Sequence, residues 1–197
     1  MKEIDYRQEA RDILDRNNQV KQARKKVSHL LDKNIFIVSG DISTREELVG
    51  HFKALGFSPE RVTATNTPAE IINKIKQHIG DIDLIICHFK ILDSSASFQT
   101  GFQLLKIVKD MLLATGVGEA IPFIFMEKTF DKKDIVSAIK AGASQFLIIP
   151  ADPISLTDKL IKVFKKPEDS PVSQEIKTFL YEANKLRDQG LFDRAIS

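Results

Sequence analysis

Five short apolar runs recur along the middle of the chain, and each is followed by a longer segment with a helical pattern. Clear runs are Ile35-Phe36-Ile37-Val38, Leu84-Ile85-Ile86-Cys87, Phe146-Leu147-Ile148-Ile149 and the stretch 122–126, and a weaker run spans 61–65. Continuous apolar runs are typical of strands that are buried on both faces, as in a parallel sheet. Since right-handed crossovers place the intervening helices on both faces, the pattern predicts an α/β fold with a five-stranded, parallel, doubly wound sheet.

The helical segments that alternate with these runs carry their own start and stop signals. Thr67 is a predicted N-cap, Pro68 a predicted first helical residue, and Gly56, Gly80 and Gly142 are predicted stops. The predicted helices cover 44–55, 68–79, 102–113, 135–141 and 154–164.

The composition limits the classes of protein that the chain can belong to. With 197 residues, 43% of them hydrophobic, the chain can bury a core of its own, and its net charge of +2 gives no general argument for nucleic acid or membrane binding. The single cysteine, Cys87, excludes an internal disulfide and a cysteine-based zinc site. Because no signal region and no membrane-length apolar run is evident, the sequence predicts a soluble cytoplasmic protein without a membrane partner.

Residues 1–33 precede the first apolar run and are predicted to form an extra N-terminal helix from about Asp5 to Leu31. Two interpretations of this helix stay open: it packs on or projects from its own domain, or it is a short dimerising helix. The stripe that suggests pairing consists of Ile13, Val20, Val27 and Leu30, with Arg16 and Ala23 at the intervening sites.

A short basic cluster on the same helix raises an alternative function. Lys21, Arg24, Lys25 and Lys26 could contact nucleic acid, but the cluster is short and has no aromatic neighbours. We therefore expect no nucleic-acid binding.

Five local motifs follow one another in the order found in a known family. They are Asp83-Leu84-Ile85-Ile86-Cys87-His88, Gly101-Phe102-Gln103-Leu104-Leu105, Ile121-Pro122-Phe123-Ile124, Ala141-Gly142-Ala143-Ser144-Gln145-Phe146-Leu147 and Pro150. Together they resemble the receiver domain of response regulators (CheY-like). The resemblance implies a receiver-like domain at 34–166, with a flavodoxin-like fold and the strand order 2-1-3-4-5.

The same resemblance implies where a phosphorylation site would lie, and each of its chemical groups is replaced. Phosphoryl transfer to a carboxylate needs a nucleophilic Asp, acidic ligands for Mg²⁺, and a hydroxyl and a lysine on the phosphoryl oxygens. The corresponding residues form a vestigial phosphoacceptor pocket, which consists of Ser39, Gly40, Asp41, His88, Glu127 and Ile149. This pattern implies a non-catalytic pseudo-receiver signalling module that acts by protein-protein interaction, with no catalytic residue, metal or cofactor.

Two other interpretations of the pocket stay open. The chain could be a phosphoacceptor receiver switch of a two-component system with an atypical or misaligned site, in which Asp93 or Asp81 would be the nucleophile. Alternatively, His88, Asp41 and Glu127 could together hold a divalent metal or a small ligand.

The resemblance also implies a partner surface, formed by the fourth helix, fifth strand and fifth helix of the receiver. Its lysines would favour an acidic protein partner. A homodimer could form through this surface or through the N-terminal helix. The candidate residues of the surface are Lys132, Lys133, Lys140, Phe146, Ile148, Lys159 and Lys162.

The carboxy-terminal segment begins with a predicted linker at 167–172 and continues as a helical segment at 173–197. Ala183, Gly190, Phe192 and Ala195 have the spacing seen at the start of a tetratricopeptide repeat. Because a lone repeat cannot bury its hydrophobic face, we expect the chain to be a piece of a longer protein with a repeat array. A simple amphipathic helix is the other interpretation.

Overall fold

The strands of the computed structural model form a single sheet. The structure describes residues 6–77, 79–90, 100–115 and 121–165, and for 6–10 and 79 it describes the backbone alone. The strands are parallel and lie in the order β2-β1-β3-β4-β5, which confirms the predicted fold class. They are β1 (Ile35–Val38), β2 (Val62–Thr65), β3 (Leu84–His88), β4 (Phe123–Glu127) and β5 (Gln145–Ile148).

The helices alternate with the strands as predicted, although several begin earlier than the sequence indicated. α2 begins two residues before Thr44 because the side chain of Asp41 accepts hydrogen bonds from the backbone N–H groups of Ser43 and Thr44. The α-helices of the described residues are α1 (Tyr6–Lys26), α2 (Ile42–Leu55), α3 (Pro68–Gln77), α4 (Gly101–Thr115), α5 (Lys132–Ala141) and α6 (Pro153–Phe164).

The N-terminal helix is shorter than predicted. α1 ends at Lys26, and a 3-10 turn covers Ser28–Leu30, so the prediction of one helix continuing to Leu31 was wrong. The Ser28 hydroxyl donates to the Lys25 carbonyl at 2.9 Å, which takes the place of a continuing helical bond at this end. The turn brings Leu30 into the core, where it is buried together with Val27.

The core lies on both faces of the sheet, since successive residues of each strand point to opposite faces. One face, which carries Phe36, Val38 and Phe125, packs against α3, α4 and α5. On the other face, α2 contacts β1 and β2 and also packs against α1. The sheet is therefore covered by helices on both sides, and its carboxyl edge is left for a site.

Part of the sequence interpretation falls outside the described residues. The predicted linker at 167–172 lies there, as does the segment that contains Ala183, Gly190, Phe192 and Ala195. The chain divides into two units after Val163, and every element above except the last residue of α6 belongs to the first. Among the described residues, no helix has both the length and the apolar character that crossing a membrane requires.

Candidate functional site

A cavity of about 440 Å³ opens at the carboxyl edge of the sheet, where β1, β3 and β4 end. Open α/β sheets bind ligands at this edge because the strand ends and the following loops meet there. The cavity is lined by Gly40, Asp41, Thr44, His88, Lys90, Glu127 and Lys128.

Ser39 directly follows β1 next to the cavity and is hydrogen-bonded to the ring of His88. Its hydroxyl oxygen lies 2.7 Å from Nδ1 of His88 and accepts a hydrogen bond from the backbone N–H of Asp41 at 3.1 Å. Its backbone N–H donates to the carbonyl of Thr65 at 3.0 Å, and its carbonyl accepts from Arg45. The fully buried Ser39 therefore joins the ends of β1, β2 and β3 by hydrogen bonds.

Asp41 lies at the cavity wall, but its carboxylate serves α2. Its oxygens accept from the Thr44 hydroxyl at 2.6 Å and from the backbone N–H groups of Ser43 and Thr44 at 3.2 and 3.3 Å. The hydrogen bond from the Thr44 hydroxyl is the main reason why the pKa of Asp41 lies below its usual value. This carboxylate is therefore a helix cap that accepts three hydrogen bonds from the first turn of α2.

His88 ends β3 at the position where the resemblance placed a phosphoacceptor. Burial lowers the pKa of His88 below its usual value, while the charges of Glu127 and Asp41 act in the opposite direction and Lys128 reinforces the lowering. Because burial dominates, the imidazole is neutral at physiological pH. We therefore interpret His88 as a structural polar residue at the end of β3, where its neutral imidazole is hydrogen-bonded to Ser39.

The remaining residues of the predicted pocket do not all reach the cavity. Glu127 does line it, and one carboxylate oxygen accepts the backbone N–H of Lys128 at 3.1 Å. Ile149 is buried and its backbone N–H donates to the Glu127 carbonyl at 3.1 Å. The structure thus brings Gly40, Asp41, His88 and Glu127 together around the cavity. Ser39 and Ile149 are buried and do not line it.

Two lysines on the cavity wall were missed by the sequence interpretation. Lys128 directly follows β4, and Lys90 comes two residues after the end of β3. The signal was available, since any residue just beyond the carboxyl end of a parallel strand faces this edge. Both lysines lie outside the motifs that resemble the receiver family.

The residues around the cavity are poorly suited to bind a divalent cation. Among the described residues, no group of three or more His, Cys, Asp or Glu side chains is placed to hold a metal ion. Asp41 is engaged as a cap, and Lys90 and Lys128 add positive charge to the same wall. Cys87 is fully buried next to His88, and burial raises the pKa of its thiol, so it presents no thiolate to the cavity.

Neither of the alternative nucleophiles, Asp81 and Asp93, is among the described residues that line the cavity. Asp81 lies in the 3-10 turn before β3, at the opposite edge of the sheet, 3.7 Å from the ammonium group of Lys74. Asp93 lies outside the described residues.

The predicted partner surface is exposed around α5 and β5, with one exception. Phe146 is half-buried, and its ring packs at 5.2 Å from that of Phe130, so it belongs mainly to the core. Ile148 is 55% exposed, and on α5 the apolar Val136 and Ile139 are 50% and 57% exposed. Val136 and Ile139 both lie on the helix that was predicted to form this surface, although they were not among its candidate residues. The lysines Lys132, Lys133, Lys140 and Lys162 are exposed, and Lys159 is half-buried.

The basic cluster of the N-terminal helix is also exposed. Lys21, Arg24, Lys25 and Lys26 all lie on the last turns of α1. The absence of nucleic-acid binding stays a prediction.

Comparison with known proteins supports the fold. No family model matches the chain. A two-component response regulator from Clostridium difficile is similar at 22% identity, over 71% of this chain and 100% of that one, with a TM-score of 0.55. The chemotaxis response regulator CheY4 of Vibrio cholerae is similar at 19% identity, over 67% of this chain and 98% of that one, with a TM-score of 0.52. A response regulator receiver domain protein from Clostridium thermocellum is similar at 15% identity, over 69% and 97%, with a TM-score of 0.55.

These likenesses extend over nearly the whole length of each receiver and include the strand order described above. The chain therefore has the receiver-domain fold of two-component response regulators.

Proposed function

We propose that this chain is a pseudo-receiver: a signalling module that binds protein partners and is not phosphorylated on an aspartate. The observation that carries the proposal is His88, which ends β3 with its ring held 2.7 Å from the Ser39 hydroxyl. An acyl phosphate can form only on a carboxylate, and none stands at this strand end. The position is filled by a neutral hydrogen-bonded group.

The surroundings of His88 support the same proposal. A receiver reaction needs Mg²⁺ to neutralise the charge of the phosphoryl group. Here the carboxylate of Asp41 caps α2, and Lys128 and Lys90 line the wall that a cation would approach. In this proposal the Asp41 carboxylate stabilises the start of α2 and does not bind Mg²⁺.

The surface that supports the binding role lies on α5 and β5. Val136, Ile139 and Ile148 are each at least half exposed, which is unusual for large apolar side chains. Lys132 and Lys140 lie on α5 within about one helical turn of Val136 and Ile139, and both lysines are exposed. An apolar centre with a charged rim is typical of protein interfaces. The lysines favour a partner with acidic groups around an apolar contact.

The absence of phosphorylation is tested with acetyl phosphate and Mg²⁺. We expect the intact mass of the chain to stay unchanged under conditions that phosphorylate an active receiver domain treated in parallel. A stable phosphoryl adduct on this chain would contradict the proposal. Peptide mapping of such an adduct would show whether Asp81 or Asp93 is the nucleophile, as the alternative interpretation requires.

The binding surface is tested by placing a photo-crosslinking residue at Ile139 in cells that produce the protein. Leu113 on α4 is a matched control, because it is an apolar helical residue that is 80% exposed, outside the proposed surface. We expect a defined protein adduct from position 139 alone. Its yield should fall several-fold when Lys132 and Lys140 are both changed to Glu. Identical adducts from both positions, or none from 139, would argue against this surface.

A further inference from the structure

The amino-terminal half of α1 has no cover from the rest of the described structure. All residues from 11 to 19 are exposed, including Ile13 at 56% and Leu14 at 62%. By contrast Ala23 and Val27, near the other end of the same helix, are buried, and α1 packs there against α2. Only the last turns of α1 therefore belong to the core of the domain.

The exposed half carries a stripe of its own. Ile13, Asn17 and Val20 follow at intervals of four and three residues, the spacing of core positions in a coiled coil. Leu14 lies beside this stripe. The charged residues of the same stretch lie at other positions of the helix; they are Arg11, Asp12, Asp15 and Arg16.

The stripe is uncovered because the described domain reaches only the last turns of α1. Val20 precedes Val27 by seven residues, which is about 20° around an α-helix, so the two lie on nearly the same side of the helix. Val27 is nevertheless buried, while all residues from 11 to 19 are exposed. A second helix could therefore lie along the exposed part of the stripe, ahead of the turns that pack against α2.

We propose that this stripe pairs with the same stripe of a second copy of the chain, as a parallel, in-register two-helix interface. Asn17 is the reason for choosing a second copy. A lone amide within an apolar stripe has no match on an apolar partner, but in a parallel pair it faces its own copy and the two amides can hydrogen-bond. Ile13 and Val20 then also face their own copies above and below it.

The proposed interface is short, so we expect the association between the two copies to be weak. The described part of the stripe spans about two helical turns, and interfaces below about 1,200 Å² are typical of weak, transient complexes. We therefore expect a monomer–dimer equilibrium that shifts with protein concentration. This surface is separate from that on α5 and β5, so the two proposals can fail independently.

Cysteine crosslinking of the full chain tests both the partner and the register. The native Cys87 is buried, so an introduced thiol is the accessible one of the described residues. Ile13→Cys and Asn17→Cys should each form an intermolecular disulfide under mild oxidation. Gln19→Cys is the matched control, since it is an exposed amide two residues further on that lies on the opposite side of the helix. We expect a crosslinking rate at least roughly tenfold lower there.

The outcomes separate the possibilities. Crosslinks at both 13 and 17, but not at 19, support the parallel pair. A crosslink at only one of the two positions indicates an antiparallel pair and overturns the register, and equal rates at all three overturn the interface.

Sedimentation velocity of unmodified chains provides a second measurement that does not depend on thiols. Ile13→Asp should weaken the association at least roughly tenfold, because apolar area is lost from both copies. Leu113→Asp should leave it unchanged. A wild-type chain that stays monomeric at all concentrations, or a dimer that is lost with Ile139→Asp and kept with Ile13→Asp, overturns the proposal.

Discussion

Gly101 begins α4 directly against the carboxyl end of β3, where a side chain has no room. Its backbone N–H donates to the Phe89 carbonyl at 2.9 Å. A Cβ at this position would collide with the carbonyl oxygen of His88 and would lie 2.9 Å from the sulfur of Cys87. The requirement for glycine here is close packing, and the atoms that would have to move are those that position His88.

We predict that Gly101→Ala destabilises the fold by about 1–3 kcal/mol, the usual range for overpacking a tight site. Gly50→Ala is the matched change, because Gly50 is an exposed glycine of α2 and an added Cβ there has no atom within 4 Å. That substitution should stabilise the fold by about 0.5–1 kcal/mol, since alanine loses less backbone entropy in a helix. Urea denaturation of the two variants measures both changes. Equal effects of the same sign would contradict the packing argument.

Individual site residues could be predicted from the sequence only where the chain order matched a known pattern. Asp41 was assigned to the vestigial pocket, but its role as a cap of α2 depends on backbone geometry at Ser43 and Thr44. The bond between Ser39 and His88 joins residues 49 positions apart, and no local pattern signals it. Lys90 and Lys128 reach the cavity wall because strand ends converge, which becomes evident only once the strand order is known.

At the scale of elements, the buried strands were the most predictable part of the chain. β1, β3 and β4 are central strands, and their four or five residues are almost all buried, so each gives a continuous apolar run. Of the two edge strands, β2 has partly exposed residues and a weak run, whereas β5 has a clear apolar run although it is only partly buried. Helix ends were less predictable. α5 begins at Lys132 rather than Ile135, because its first turn is polar and carries no periodic signal.

The two proposed surfaces show what element-level patterns leave open. An apolar residue at helical spacing predicts a contact, but not whether that contact is internal. Val136 and Ile139 of α5 fit the pattern of a packed helix and are nevertheless exposed, while Ala138 between them is buried. On α1, Val27 and Ile13 belong to one heptad stripe, and one is buried while the other is exposed. Only the positions of the neighbouring elements distinguish these cases.

For the whole molecule, the unequal burial of α1 predicts where the chain can be shortened. Removal of residues 1–33 would take away the buried Val27 and Leu30, and with them the ion pair between Lys33 and Asp83 at 3.0 Å. Burial of a valine and a leucine stabilises a fold by about 3–6 kcal/mol together. This is a large part of the roughly 5–15 kcal/mol that holds a typical domain folded.

We therefore predict that the chain without residues 1–33 is unfolded or only marginally stable, whereas the chain without residues 1–19 keeps the wild-type fold. The shorter deletion removes a stretch whose described side chains are exposed, so its cost should be less than about 1 kcal/mol. Circular dichroism during urea denaturation distinguishes the two deletions.

If the shorter deletion unfolds the protein, α1 contributes to the stability of the domain along its whole length. If the longer deletion is harmless, Val27 and Leu30 contribute little to the core. The expected contrast would show that α1 contributes to the stability of the receiver fold only through its carboxyl end.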